Sequence, residues 1–171
     1  IVTAGNFSQG QSVLIQGASS GVGLMGLQIS KYLGAKVVIG TSTKPDKFEK
    51  LKSFGADLVL NSNDSDWVDQ VLSATDNQGV DLIIDQLSGY TVNQNMMATK
   101  VKGKIVNVGR LAGGITEFNC DLHALRRINY EGVTFRTRSI QEIRDVYSNM
   151  WNDFEKLVIS GELSLPIEKV F

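Results

Sequence analysis

The chain has one cysteine, Cys120, and one histidine, His123. A lone cysteine excludes an internal disulfide and fits a reducing compartment. Structural zinc uses about four such ligands, so both residues are expected to be ordinary packing or surface positions, and no metal ligand is assigned. Neither charge sign dominates: 17 Lys and Arg stand against 18 Asp and Glu, a net charge of −1. That balance leaves no basic footprint for a nucleic acid or a membrane surface. No apolar run approaches the ~20 residues of a membrane span. The first residues, IVTAGNFSQGQ, lack the basic flank and apolar core of a secretory signal, and a cytoplasmic setting is expected. There is also no initiator methionine, which leads us to expect a piece of a longer protein. Repeats and low-complexity tracts are absent, and prolines number two.

What is present is an alternation. Short β-rich runs occur at Val13–Gln16, Lys36–Thr41, Asp57–Leu60, Val80–Asp85, Lys104–Val108 and Gly132–Arg136. Most are unbroken apolar stretches such as VVIG and LII, the signature of strands buried on both faces. Helical spacing lies between them. Val22, Met25, Ile29 and Leu33 share one face, Phe48, Leu51 and Phe54 another, and Trp67, Val68 and Val71 a third. A long helix is expected from Ile140 to Ser160, with Ile140, Ile143, Tyr147, Met150, Phe154, Leu157 and Val158 on one face and Gly161 ending it. Alternating strands and helices imply right-handed crossovers and a parallel sheet. Six strands fit the doubly wound α/β architecture of the Rossmann type, order 3-2-1-4-5-6, with helices on both faces.

The stretch Gly17-Ala-Ser-Ser-Gly-Val-Gly23 joins the first strand to the first helix. A strand, a glycine turn and a helix set backbone N–H groups and the positive helix end against a phosphate. Gly17 permits the tight turn, Gly21 lets a ligand approach, and Gly23 lets the helix pack on the strand. Ser19 and Ser20 add hydroxyls. The spacing is G-x-x-x-G-x-G rather than G-x-G-x-x-G. A tight turn without a ligand is the plain alternative.

This loop resembles that of the short-chain dehydrogenases. Those enzymes also carry a Tyr-x-x-x-Lys pair far downstream, and here Tyr32-Leu-Gly-Ala-Lys36 alone fits, between the first helix and the second strand. A second resemblance covers nearly the whole chain. Asn6 to Ile15, the glycine turn, Leu51-Lys-Ser-Phe-Gly-Ala-Asp-Leu-Val-Leu-Asn61, Val80-Asp-Leu-Ile-Ile-Asp-Gln-Leu-Ser-Gly89, Gly103-Lys-Ile-Val-Asn-Val-Gly109 and Gly132-Val-Thr-Phe-Arg-Thr-Arg-Ser139 occur in the order seen in one family. They resemble the cofactor domain of medium-chain dehydrogenases/reductases, in the zinc-independent quinone oxidoreductase branch. The resemblance implies a dinucleotide-binding domain over residues 1–161. It makes residues 162–171 the start of a return to a catalytic domain that lies outside this sequence.

The second strand ends Gly40-Thr41-Ser42-Thr43-Lys44, without the acid that usually accepts from a ribose 2′-OH. Hydroxyls and ammonium groups attract a 2′-phosphate instead, so NADP(H) is the expected cofactor, with Lys44 and Lys47 as its phosphate contacts. Helix-start chemistry is a compatible reading of the same residues, with Thr43 as cap, Pro45 in the first turn and an Asp46–Lys50 pair. The cofactor-binding set is Gly17, Ser19, Ser20, Gly21, Val22, Gly23, Thr41, Ser42, Thr43, Lys44, Lys47, Asn61, Val108, Gly109 and Arg110. By resemblance Lys47 sits at a phosphate-binding lysine, Asn61 near the adenosine half, and the loop after Asn107 near the nicotinamide. Asp85 is as good a turn anchor as a ligand contact.

No catalytic acid, base or nucleophile stands out, which suits hydride transfer, where the cofactor carries the chemistry. The expected activity is NADPH-dependent reduction of a quinone, enone or related carbonyl, with the small-molecule substrate held mainly by the other domain. The alternatives are the cofactor domain of a zinc alcohol dehydrogenase and a nicotinamide-binding module without chemistry. The sixth strand would lie at a sheet edge, and a homodimer through residues 131–138 is expected.

Overall fold

The computed structural model describes residues 1–166. Its elements run β1 (Ser12–Gln16), α1 (Gly21–Tyr32), β2 (Val37–Ser42), α2 (Phe48–Ser53), β3 (Leu58–Asn61), α3 (Trp67–Ser73), β4 (Val80–Asp85), α4 (Val92–Ala98), β5 (Thr99–Asn107), α5 (Cys120–Arg126), β6 (Asn129–Gly132) and α6 (Ile140–Ser160). The six strands form one sheet in the order β3-β2-β1-β4-β5-β6, and every pairing is parallel. The expected doubly wound topology is therefore the observed one. The described chain divides into two units. Ile1–Gly132 holds the sheet and α1 to α5, and the stretch from Val133 holds α6. The return segment expected at 162–171 lies partly outside the described residues.

The apolar runs form the strands because the sheet is covered on both faces. Val13, Leu14, Ile15, Ile39 and Ile83 are fully buried, and each such side chain contributes about 1.5–3 kcal/mol when taken from water. Leu14, Ile83 and Ile105 meet Trp67, Val71 and Met96 in one cluster, which fastens α3 and α4 to the sheet.

Three sequence readings need correction. The face of α1 turned inward carries Gly23, Leu24, Gly26, Leu27 and Ser30, whereas Val22 of the expected stripe is exposed. Periodicity favoured the larger apolar residues, but the helix packs through its smallest ones. A Cβ at Gly23 would fall 2.5 Å from both the Cα and the carbonyl oxygen of Ala18, and one at Gly26 would fall 3.1 Å from Ile15 Cδ1. Second, the sixth strand is Asn129–Gly132, not Gly132–Arg136. Its register pairs Lys104 with Asn129 and Asn107 with Gly132, so the ladder stops where β5 stops. The β-prone Val-Thr-Phe segment takes no strand conformation, and the edge expected over 131–138 ends at Gly132. Third, Lys44 rather than Thr43 caps the Pro45–Lys47 turn, without a side-chain bond. The ion pair on this segment joins Lys52 to Glu49 at 2.8 Å, in place of Asp46 and Lys50.

The helix α6 has the expected bounds. Ser139 and Glu142 close a capping box at its start, and Gly161 caps its end. Of the apolar face read from spacing, only Phe154 and Leu157 are buried, while Ile140 and Tyr147 are 71% and 61% exposed.

The Gly23 contact yields a test. A methyl group there meets backbone, which cannot rotate away, so α1 must shift. Gly23→Ala should destabilise the fold by about 1–3 kcal/mol despite alanine's better helix propensity, read as a lower midpoint in chemical denaturation. Unchanged stability would show that α1 does not need this approach.

Candidate cofactor site

Each strand of the sheet's middle ends its apolar run with a buried polar residue. These are Gln16 on β1, Thr41 and Ser42 on β2, Asp85 on β4 and Asn107 on β5. All lie at the carboxyl edge, and the strand order reverses between β1 and β4. In an open α/β sheet the ligand crevice forms at that reversal.

The glycine turn is built from β1 and β2 together. Gly17 has φ +70°, a conformation that costs a glycine little. Its N–H donates to Thr41 Oγ1 at 3.0 Å, and the Ala18 N–H donates to the Thr41 carbonyl at 2.8 Å. Ser20 is the N-cap of α1: its hydroxyl accepts from the Gly23 N–H at 3.0 Å and donates to Gln86 Oε1 at 2.7 Å. The Leu24 N–H is taken by the Ser20 carbonyl at 2.8 Å. Gly21 and Val22, the first residues of the helix, keep N–H groups that no intrahelical carbonyl reaches. With the positive end of the helix they suit an anion. Ser19 is exposed, and its hydroxyl lies 3.5 Å from that of Ser42.

The β2 end places Thr41 and Ser42 inside and Thr43 and Lys44 outside, with Lys47 half-buried. The Lys44 N–H donates to Ser42 Oγ at 3.2 Å. Among the described residues neither Lys44 nor Lys47 enters a salt bridge. Asn61 lies opposite Ser42 in the β2–β3 ladder, and its amide is engaged with Asp64 Oδ1 at 2.8 Å.

On the other side of the reversal, Asp85 anchors the turn after β4. Its Oδ1 accepts from the N–H groups of Leu87 at 2.9 Å and Ser88 at 3.0 Å. Ser88 has φ +56° and ψ −143°, a conformation that costs a serine roughly 1–3 kcal/mol. Its hydroxyl donates to the Gly109 carbonyl at 2.9 Å and accepts from the Asn107 amide. Val108 and Gly109 both donate to the Asp85 carbonyl, at 2.7 and 3.1 Å. Their N–H groups therefore fix the loop. A cleft of about 390 Å³ opens beside it, lined by Ser88, Asn107, Arg110, Phe118 and Tyr130 among others. Burial, and then the Asp85 charge, raise the Tyr130 phenol above its ordinary value, so it stays protonated and can donate.

The predicted residues thus gather along one edge. Gly17–Gly23, Thr41–Lys44, Lys47 and Asn61 sit around the ends of β1, β2 and β3, and Val108–Arg110 sit beyond the reversal. Sequence reasoning passed over Gln16, Gln86, Ser88, Asn95 and Tyr130. For Gln16 the signal was legible, since it closes the apolar run of β1 with a polar residue. For the other four it was not.

Over residues 21–154, well over half of the chain, the sequence matches the family described as zinc-binding dehydrogenase. The chain belongs to that family. It corresponds to the cofactor-binding half of medium-chain dehydrogenases/reductases. A quinone oxidoreductase of Pongo abelii is 27% identical over 174 residues, covering 99% of this chain and 51% of that protein. A low-reducing polyketide synthase of Aspergillus calidoustus is 27% identical over 164 residues, or 91% of this chain and 7% of that one. This chain therefore spans about half the length of the first relative and a small part of the second. The crystal structure of Escherichia coli quinone oxidoreductase complexed with NADPH superposes with a TM-score of 0.80 at 22% identity, over 94% of this chain and 48% of that one, a likeness of fold. The family's name carries zinc, but among the described residues no three His, Cys, Asp or Glu side chains converge. Cys120 is exposed, and no step through a metal follows. No helix among the described residues is long and apolar enough to cross a membrane.

Asp85 supplies a pH test. Burial raises its carboxyl above the ordinary range, against the donors of Ser88 and Leu87, and its Oδ2 is buried without a partner. A raised folded-state pKa means that the charged form costs stability. That cost is present at neutral pH and disappears as pH falls through the raised value. The parent should therefore gain stability relative to Asp85→Asn on acidification from neutrality toward the ordinary aspartate range. Urea midpoints of both proteins across a pH series would show it, and a constant difference would refute it.

Proposed function

We propose that the chain is the NADP(H)-binding half of an oxidoreductase that reduces a quinone, an enone or a related carbonyl. The observation that carries the reading is the β2 end. Thr41-Ser42-Thr43-Lys44 contains no carboxylate, and it stands one strand from the Gly17–Gly23 turn. A carboxylate there would accept from a free ribose 2′-OH and repel a 2′-phosphate. Hydroxyls and ammonium groups do the reverse. The NADPH named for the Escherichia coli quinone oxidoreductase supports the same choice.

In this reading the N–H groups of Gly21 and Val22 and the positive end of α1 hold the pyrophosphate. Ser42, Lys44 and Lys47 hold the 2′-phosphate, Asn61 borders the adenosine half, and the Val108–Arg110 loop borders the nicotinamide half. When bound, the reduced nicotinamide supplies the hydride, and this chain contributes binding and orientation. The substrate site is completed by a catalytic domain to which residues 162–171 return, in a cytoplasmic protein.

Cofactor choice is the direct test. The chain should bind NADPH at least about tenfold more tightly than NADH, and Lys44→Ala with Lys47→Ala should remove most of the difference, since charge-assisted contacts are each worth roughly 1.5–3 kcal/mol. Fluorescence titration giving equal affinities in the parent would overturn it. NADPH oxidation by the full-length protein with a quinone tests the activity.

Assembly belongs to the same proposal. The sheet ends at β6, and an edge strand offers unpaired backbone groups to a second copy. We assign the two-fold contact to Asn129–Gly132 rather than to residues 131–138. Light scattering should give a dimer mass at high micromolar concentration, and a monomer mass there sinks the idea.

A further inference from the structure

One side chain touches both sides of the strand reversal. Gln86 directly follows β4 and is 4% exposed. Its Nε2 donates to the carbonyls of Gln16 at 3.1 Å and Gly17 at 3.3 Å. Its Oε1 accepts from the Ser20 hydroxyl at 2.7 Å. Its own carbonyl accepts from the Leu111 N–H at 3.1 Å, and a Cβ at Gly109 would come within 2.6 Å of that oxygen. The amide grips the glycine turn while the backbone grips the loop after β5.

The grip determines what the turn can offer. A hydroxyl has one proton, and that of Ser20 goes to Gln86 at 2.7 Å rather than to Gly17 O at 3.1 Å. One of its two lone pairs is used by the Gly23 N–H. Ser20 therefore has no proton left for an anion in the crevice. What remains are backbone N–H groups, and their direction depends on the shape of the turn. Two carbonyls need a donor and one hydroxyl needs an acceptor, and only a primary amide supplies both. A glutamate would take this donor from both carbonyls, of which that of Gly17 keeps the Ser20 N–H at 3.3 Å, and put a negative charge behind the anion site. A methionine would fill the space and make none of the three bonds.

We infer that Gln86 is a positioning residue for the dinucleotide: it holds the Gly17–Ser20 turn in the shape that aims the Gly21 and Val22 amides, and ties that turn to the loop after β5. This rests on the dinucleotide reading above. Neither half of the crevice can then relax without the other.

The test measures binding by the chain of two probes, NADPH and adenosine 2′-monophosphate, together with thermal midpoints. Adenosine 2′-monophosphate reaches the β2 end and has no pyrophosphate. Gln86→Met should weaken NADPH about tenfold and change adenosine 2′-monophosphate by less than about twofold, because the bonds lost lie under the turn alone. Gln86→Glu should weaken NADPH further. Ser20→Ala removes the shared Oε1 contact together with the cap on the Gly23 N–H, so it should also weaken NADPH, and the double variant should lose less than the sum of the two single losses, as expected of two groups in contact. The fluorescence maximum of bound NADPH should stay near that of the parent in Gln86→Met, because the loop after β5 is held by the backbone carbonyl at position 86, which the substitution keeps. Ser20→Ala leaves the core intact and reads the same contact if Gln86→Met fails to fold. Parent-like NADPH affinity in the Gln86 and Ser20 variants overturns the inference and leaves the cofactor reading standing. Equal loss of both probes in step with the thermal midpoint reduces Gln86 to a structural role and also overturns it. A parent that binds no NADPH overturns the cofactor reading and this inference together.

Discussion

The backbone of Gly23 rests against the backbone of Ala18, and the geometry of the crevice follows from that approach. A Cβ at Gly23 would stand 2.5 Å from Ala18 Cα, so the first turn of α1 lies over the end of β1 because no side chain separates them. The helix start is thereby aimed at the carboxyl edge. The amides of Gly21 and Val22 point where Thr41 has already shaped the turn from β2. Leu24 and Leu27 then carry the burial that holds the helix down.

The carboxyl edge is a boundary one residue deep. Behind it lie Leu14, Ile15, Ile39 and Ile83, all fully buried. In front lie buried amides, hydroxyls and one carboxyl, which cost about 1–3 kcal/mol each if left unpaired. They are paired almost throughout. Thr41 donates to Gln16 at 2.6 Å, and Gln16 donates to Asn95 at 2.6 Å. The exceptions sit at the turn after β4, where Asp85 keeps an unpartnered oxygen and Ser88 holds a backbone conformation that favours glycine. Strain and an unpaired acid, adjacent to the cleft at Tyr130, mark the part of the edge least committed to stability.

The topology and the glycine turn were legible from local pattern. Strands buried on both faces read as unbroken apolar runs, and a turn that needs positive φ needs glycine. The 21-residue helix α6 was legible to its ends, because Ser139, Glu142 and Gly161 cap it with local chemistry. The packed face of α1 was not. Periodicity weighs side-chain size, whereas this helix packs through the absence of side chains at Gly23 and Gly26. Nor was β6: the β-prone Val133-Thr-Phe135 looked like a strand, and Asn129-Tyr-Glu-Gly132 did not.

By itself, then, the sequence determined the turn at Gly17–Gly23, the absence of an acid after β2 and the strand–helix alternation, because each depends on residues close together in the chain, and the order of the parallel sheet followed from the architecture that this alternation fits. The tertiary structure alone decided which hydroxyls are free, where the last strand pairs, and that Gln86 joins the turns on either side of the reversal. Ser20 and Gln86 are 66 residues apart. Whether a polar group has a partner depends on what the fold brings within about 3 Å of it, and no local pattern records that.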